Sequence, residues 1–218
     1  FIFYANIISL SPQVTDYLAS LPSEIKALAL VEVHKQPHKV SSVFDPLNFS
    51  SSYSKPQETR LGGTHGGELV AVKSYIESLA VDEHILQFIE NRYDMPLRFA
   101  CRIIKFHSLN VLLVTIYLWC SEGFSERNHL VLQQLLMLKC LCGLPIICIG
   151  DFNLTIEEFE KSGWCERLKV SLIKPSVLTT TKLSDNRVID FGFLSNEIFP
   201  MNEHISPIKS VPFSPHIG

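Results

Sequence analysis

Short apolar runs alternate with helix-like patterns along the chain, an order typical of a layered α/β fold. Helices are predicted at residues 11–21, which begin with a capping serine and a proline, and at residues 126–142, which end at Gly143. A further helix is predicted from Thr155 onward. The apolar runs that predict strands are residues 1–8, 25–33, 68–73, 98–106, 110–118, 145–149 and 188–195.

Three segments have less regular patterns. Residues 35–63 predict a loop-rich region because they contain three prolines and a serine cluster. Residues 75–93 are compatible with either a helix or an irregular insertion, and the pattern does not separate the two. Residues 205–217 predict an extended C-terminal segment.

The composition predicts one well-filled domain. The 218 residues are 46% hydrophobic and 19% charged, and 19 Lys+Arg against 22 Asp+Glu give a net charge of −3. The apolar content excludes a disordered chain, and the lack of basic excess excludes a protein that coats nucleic acid through bulk charge. We expect a single domain over residues 1–218. Because the chain begins at Phe1, we also expect it to be a fragment of a longer polyprotein.

The apolar content does not predict a membrane or disulfide-rich protein. Residues 130–150 are about as long as a spanning helix, but they contain Gln133, Gln134 and Lys139 and are divided by a Gly-Leu-Pro break. We interpret them as a buried helix followed by a buried strand, and expect no stable membrane association. The six cysteines lack CxxC spacing, which favours a reducing, intracellular setting.

The segment Gly150-Asp151-Phe152-Asn153 is the sharpest chemical feature of the sequence. It follows a predicted buried strand, so its polar residues lie at the carboxyl end, where α/β sheets form ligand crevices. In extended backbone Asp151 and Asn153 point the same way, which suits holding a water, a phosphoryl oxygen and a metal ion. The alternative is an Asx turn that precedes the helix near Thr155.

Three other lone polar residues lie within or at the end of apolar strands. Asn6 ends the first predicted strand, Glu32 interrupts the second and Asp190 interrupts the last. Asn6 could instead cap a turn, Glu32 could mark an exposed strand end, and Asp190 could pair with Arg187. Burying Glu32 unpaired would cost several kcal/mol, and a bound cation removes that cost.

Isolated aromatic residues and histidines have two interpretations each. Trp119 and Trp164 could stack on nucleotide bases or pack in the core. His34, His38 and His84 have no ligand partners at a suitable spacing, and we expect them at the solvated surface.

The ordered set of these residues resembles the endonuclease/exonuclease/phosphatase superfamily. Within it, the chain is similar to apurinic/apyrimidinic endonucleases and to the endonuclease domains of non-LTR (LINE-type) retroelements. The matching segments, in chain order, are Ala5-Asn6-Ile7, Leu30-Val31-Glu32-Val33-His34, Gly66-Gly67-Glu68-Leu69-Val70, residues 114–118 with Tyr117, Ile149 to Asn153, residues 188–195 with Asp190, and Ser214-Pro215-His216.

The resemblance implies a four-layer α/β/β/α sandwich of two mixed sheets packed face to face with helices outside. It implies metal-dependent phosphodiester hydrolysis, most like a DNA-nicking endonuclease, with Mg²⁺ (or Mn²⁺ in its place) held by Glu32 and Asn6. Asp151 would orient or deprotonate the attacking water. Asn153 and Tyr117 would bind the phosphate, while His216, held by Asp190, would contact the phosphoryl oxygens. The implied partner is DNA, and the implied state is a monomeric domain, nuclear if it belongs to a retroelement.

Several residues depart from the family pattern. Pro215 replaces the aspartate that precedes the family histidine, Cys120 replaces an asparagine or histidine, Ile8 replaces an auxiliary metal carboxylate, and Ala5 replaces a common tryptophan. Two alternatives therefore remain open. One is an enzyme of the same fold that acts on a phosphoinositide or another phosphoester. The other is a catalytically decayed copy, or a scaffold for protein contacts.

Overall fold

The computed structural model describes residues 1–58, 64–106, 108–175, 187–201, 206, 208, 211 and 212. Within these ranges the strands are β1 (Ile2–Asn6), β2 (Ala27–Val31), β3 (Phe49–Tyr53), β4 (Gln57–Glu58), β5 (Thr64–His65), β6 (Leu69–Lys73), β7 (Ser78–Ala80), β8 (Phe99–Phe106), β9 (Leu109–Tyr117), β10 (Ile146–Asp151), β11 (Val170–Ile173) and β12 (Asp190–Ser195). The helices are α1 (Pro12–Ala19), α2 (Pro37–Phe44), α3 (Glu83–Tyr93), α4 (Glu126–Cys142), α5 (Ile156–Lys161) and α6 (Trp164–Leu168), followed by a 3₁₀ turn at Phe199–Met201.

The strands form two mixed sheets and one small ribbon. The first sheet has the order β1-β2-β6-β3, with β1 and β2 parallel and the other pairs antiparallel. The second has the order β11-β12-β10-β9-β8-β7, in which only β9 and β10 are parallel. Strands β4 and β5 pair as a two-stranded ribbon.

Three apolar clusters define the layers. One cluster joins the first sheet to α1 and α2. A second joins the inner faces of the two sheets, including Val70 from the first and Leu113 and Ile147 from the second. The third covers the outer face of the second sheet with residues of α3 to α6. The predicted four-layer sandwich is therefore confirmed, and both sheets are buried on two faces, which accounts for the high apolar content.

Local sequence signals set the ends of several elements. The Ser11 hydroxyl accepts from the backbone N–H of Val14 at the start of α1, and Gly143 ends α4 in the left-handed conformation. Thr155 and Glu158 form a capping box at α5. Gly150 allows β10 to approach β9, since a Cβ atom there would lie 2.1 Å from the carbonyl oxygen of Ile116.

The prediction of loops over residues 35–63 was wrong in part. Helix α2 begins at Pro37, because proline in the first turn favours a helix, and it buries Val40 and Phe44. The serine cluster belongs to β3, an edge strand that pairs only with β6. The ambiguous residues 75–93 contain β7 and α3, and α6 and β11 were not predicted. Most of residues 205–217 lie outside the described ranges.

No helix in the described ranges has both the length and the apolar character that a membrane crossing requires.

Candidate active site

The topology brings the predicted polar residues to one edge of the sandwich. Strands β1 and β2 are parallel and in register, so Asn6 at the end of β1 lies beside Val31, and Glu32 follows directly. In the second sheet β9 and β10 are also parallel and place Tyr117 opposite Asp151. The antiparallel strand β12 begins at the same edge and places Asp190 opposite Asp151. Tyr117, Asp151 and Asp190 therefore form one row across three adjacent strands.

Hydrogen bonds between side chains connect the sheets at this edge. The Asn6 side-chain amide donates to Oδ2 of Asp151 at 3.0 Å, and the Tyr4 hydroxyl donates to Oδ1 of Asp190 at 2.6 Å. Asn6, Asp151 and Asp190 are all buried. Tyr4 was not found by sequence reasoning. The sequence feature that could have identified Tyr4 is the alternation of side chains along a strand, which puts Tyr4 and Asn6 on the same face of β1.

Glu32 has an environment that favours its ionised form. Burial favours the neutral acid, but hydrogen bonds from Tyr117 and Asn6 and the nearby His34 outweigh it, so the pKa of Glu32 is lowered from its ordinary value. The Nε2 atom of His34 lies 3.8 Å from Oε1 of Glu32, an ion-pair distance rather than a hydrogen bond. The expectation that His34 is a solvated surface residue was therefore wrong.

Tyr117 keeps its proton at this edge. Burial, followed by the negative charges of Glu32 and Asp151, raises the pKa of the Tyr117 phenol well above its ordinary value. The hydroxyl is therefore a hydrogen-bond donor, and Glu32 is one of its acceptors. A protonated phenol beside a carboxylate can also donate to a phosphoryl oxygen.

Asp151 takes part both in a turn with Asn153 and in the hydrogen bond to Asn6. The backbone N–H of Asn153 donates to Oδ1 of Asp151 at 3.0 Å, so the Asx turn is present, yet Oδ2 of the same carboxylate binds Asn6. The expectation of extended backbone through Asn153 was wrong, because its φ is 50°. Its side-chain amide donates to the carbonyl oxygen of Leu118 at 2.9 Å, which anchors it to the end of β9.

Left-handed backbone is concentrated around these residues. Ile8, Glu32, His34 and Asn153 all have φ between 50° and 59°. A β-branched residue such as Ile8 rarely adopts this conformation, and such strain in folded proteins tends to cluster at functional sites.

The donor set fits a hard divalent cation. Magnesium in proteins is held by one or two carboxylates, with waters and substrate phosphates completing its shell. Glu32 supplies an ionised carboxylate, and Asn6 and Asp151 lie beside it. Over the described residues, no group of three or more His, Cys, Asp or Glu side chains could hold a metal ion. Glu32 and its neighbours would thus hold such a cation through few protein ligands.

His216 and Pro215 lie outside the described residues, so the predicted pair of Asp190 and His216 stays a prediction. Cys120 is exposed in the turn after β9. Trp164 is buried and its indole N–H donates to His129 at 3.2 Å, so this tryptophan packs in the core and is not available to stack on a base.

Two buried charged residues near the site were missed by sequence reasoning. Burial raises the pKa of Glu68, although the charge of Arg98 acts in the opposite direction. One Glu68 carboxylate oxygen accepts from the Ser54 hydroxyl, whereas Oε1 has no partner among the described residues. Arg98 is 3% exposed and its Nε donates to the carbonyl oxygen of Tyr117 at 3.0 Å. The sequence feature that could have identified them is their position, since each directly precedes a buried strand.

Solved structures with the same architecture include nucleases and phosphatase-family proteins. The endonuclease domain of TRAS1, a telomere-specific non-LTR retrotransposon, has a TM-score of 0.69 at 12% identity over 99% of this chain and 94% of that one. A Leptotrichia buccalis endonuclease/exonuclease/phosphatase family protein has 0.65 at 11% identity, covering 99% and 96% of the two chains. The human Nocturnin catalytic domain has 0.62 at 15% identity, covering 89% and 82%. The sequence itself matches no family model, and it has no statistically significant match among curated proteins.

Proposed function

We propose that this chain, which has the endonuclease/exonuclease/phosphatase fold, is a metal-dependent phosphodiester hydrolase that nicks DNA. The observation that supports the proposal is the row of Tyr117, Asp151 and Asp190 on one sheet, joined to Asn6 on the other by a 3.0 Å hydrogen bond. Glu32 lies at the same edge in its ionised form. The TRAS1 domain, an endonuclease of similar fold, favours DNA as the substrate.

The residues have distinct roles in this proposal. Glu32, with Asn6 beside it, would hold Mg²⁺, which neutralises charge that develops on the phosphate. Asp151 is oriented by Asn6 and by the backbone of Asn153, and it would orient or deprotonate the attacking water. Tyr117 and Asn153 would donate hydrogen bonds to phosphoryl oxygens.

Asp190 and His216 would act together on the phosphoryl oxygens. The Tyr4 hydroxyl orients the Asp190 carboxylate, which would in turn fix the tautomer of His216. We expect the domain to act as a monomer, and in the nucleus if its parent is a retroelement.

The test is nicking of supercoiled plasmid DNA in the presence of Mg²⁺. We expect Glu32→Gln and Asp151→Asn to lower the nicking rate by about a hundredfold or more, because each removes a charge that acts in the transition state. The matched control is Glu77→Gln, which removes an exposed carboxylate paired with Lys105 near the end of β8. This control should nick like the wild type.

The outcomes separate the alternatives. Equal nicking by all four proteins would contradict the proposal. Phosphate release from a phosphoinositide panel without any nicking would identify a phosphoesterase of the same fold. Failure to cut DNA or lipid, together with failure to bind Mg²⁺ or Mn²⁺ in calorimetry, would identify a decayed copy or a scaffold.

A further inference from the structure

Two guanidinium groups stack on one tryptophan at the rim of the candidate site. The Cζ atom of Arg98 lies 3.9 Å from the centre of the Trp119 ring, and that of Arg127 lies 3.7 Å from it. Arg98 also lies over the Tyr117 ring, at 4.5 Å. We call Arg98, Trp119 and Arg127 the arginine–tryptophan stack. Both guanidinium groups therefore contact the same ring.

The stack is held by hydrogen bonds to its backbone. The buried side chain of Asn128 accepts from the backbone N–H of Trp119 at 2.8 Å and donates to its carbonyl oxygen at 3.1 Å. Arg98 is fixed separately, by its bond to the carbonyl oxygen of Tyr117. The indole Nε1 of Trp119 is buried and has no partner among the described residues, so packing and the two cations hold the ring.

Each arginine of the stack has a carboxylate in its surroundings. Within the described ranges, no carboxylate oxygen lies within 4.0 Å of the Arg98 guanidinium, although this side chain is almost fully buried. Glu68 lies close by, and burial raises its pKa while the charge of Arg98 lowers it. Arg127 has one partner, Glu122, at 2.8 Å, and its side chain is half-exposed. The stack therefore places two cations side by side at the rim of the site, and the half-exposed one is accessible to an anionic ligand.

We propose that the arginine–tryptophan stack binds a phosphate group of the substrate strand, next to the phosphate that is cleaved. This inference rests on the proposed function and specifies how the site engages a polymer. Guanidinium groups bind phosphate through paired N–H donors, and a chain of net charge −3 must place its cations locally to attract a nucleic acid. Arg127, whose side chain is half-exposed, is the substrate-binding residue, and Trp119 and the buried Arg98 are positioning residues behind it.

The first experiment measures binding without cleavage. A short fluorescent DNA duplex is titrated into Glu32→Gln protein, with and without Arg127→Gln, across a series of salt concentrations. We expect Arg127→Gln to weaken binding by about tenfold. The plot of the logarithm of the association constant against the logarithm of the salt concentration should become less steep by about one, since one phosphate contact is lost. The control is Arg167→Gln, which removes a surface guanidinium that lies 5.3 Å from the ring of Trp164. This control should leave both quantities unchanged.

The second experiment identifies the phosphate. Neutral methylphosphonates replace single phosphates around the nick site, and KM is measured for the wild type, Arg127→Gln and Arg98→Lys, which keeps a charge but not the planar fork. We expect that a methylphosphonate at one position beside the nick site raises the KM of the wild type. The same replacement should not raise the KM of either variant further, because the variants have already lost that phosphate contact. Trp119→Phe should raise KM, because the smaller ring positions the arginines less well. The value of kcat should change little, because phenylalanine keeps a stacking face.

The outcomes distinguish this inference from the proposed function. If the variants respond to every methylphosphonate as the wild type does, and the salt slopes are equal, the stack does not bind phosphate. If the wild type cuts no DNA but still binds the duplex with an Arg127-dependent salt slope, the proposed function fails and the phosphate site stands.

Discussion

At the residue scale, the unusual feature is the number of buried polar groups at one edge of the sandwich. Asn6, Glu68, Arg98, Asp151 and Asp190 are each no more than 5% exposed. Burying such groups is costly unless they are paired, and most of these are held in hydrogen bonds across or between strands. The protein therefore spends stability here to hold a fixed arrangement of charges.

The stability cost of burying a charged group can be tested at Glu68 by varying the pH. Burial raises the pKa of Glu68 above its ordinary value of 4.5, so between the ordinary and the folded value the unfolded chain releases a proton that the folded chain keeps. The stability contributed by this group therefore falls as pH rises above the ordinary value. We expect Glu68→Gln to be more stable than the wild type at neutral pH, and the difference to disappear at pH values below 4.5.

The measurement is urea unfolding as a function of pH. The control is Glu24→Gln, a change at an exposed glutamate, which should leave the pH profile of stability unchanged. A wild type that is more stable than Glu68→Gln at neutral pH would show that the Glu68 charge is net stabilising, and would contradict the prediction.

At the scale of elements, regular signals predicted the long helices and central strands, whereas short edge elements were missed. Helix α4 was predicted with its bounds because its apolar run and its Gly143 end agree, and in the structure the Ser125 side chain caps its start. The edge strand β3 was hidden because three of its five residues are serines, and its structure comes from pairing with β6. Propensity decides little for a strand that has a partner on one side only.

The connection between β9 and α4 depends on one side chain in the first turn of that helix. The amide of Asn128 bonds Trp119 at both its backbone N–H and its carbonyl oxygen, and also donates to the carbonyl oxygen of Gly123 at 2.8 Å. We expect Asn128→Ala to lower the free energy of unfolding by about 3 kcal/mol, because it leaves buried backbone groups without partners.

Chemical unfolding followed by circular dichroism measures this effect. Asn91→Ala, at an exposed position of α3, is the matched control and should change stability by less than about 0.5 kcal/mol. A loss in Asn128→Ala no larger than in this control would show that the loop is held by other contacts.

At the scale of the whole molecule, the candidate site exists only where the two sheets meet. Asn6 belongs to the first sheet and Glu32 directly follows its strand β2, whereas Tyr117, Asp151 and Asp190 belong to the second sheet. The inner apolar cluster fixes the distance between the sheets, and so between the two halves of the site. Ligand binding at this edge is therefore coupled to the stability of the entire sandwich.

Magnesium should consequently stabilise the folded domain. At a concentration about a hundred times its dissociation constant, a ligand that binds only the folded state adds about 2.7 kcal/mol. We expect Mg²⁺ to raise the thermal unfolding midpoint of the wild type and to have no such effect on Glu32→Gln. The control Glu77→Gln should respond to Mg²⁺ like the wild type. Equal stabilisation of Glu32→Gln and the wild type would place the ion elsewhere.

The sequence by itself determined the layered fold, the long helices and the polar residues that end its apolar strands, because periodicity and caps are local properties of the chain. Only the tertiary structure decided which of those residues meet. The hydrogen bond of Asn6 to Asp151 and that of Tyr4 to Asp190 each join residues more than a hundred positions apart. The stacking of Arg98 on Trp119 likewise follows from the antiparallel pairing of β8 and β9, whose register no local pattern specifies.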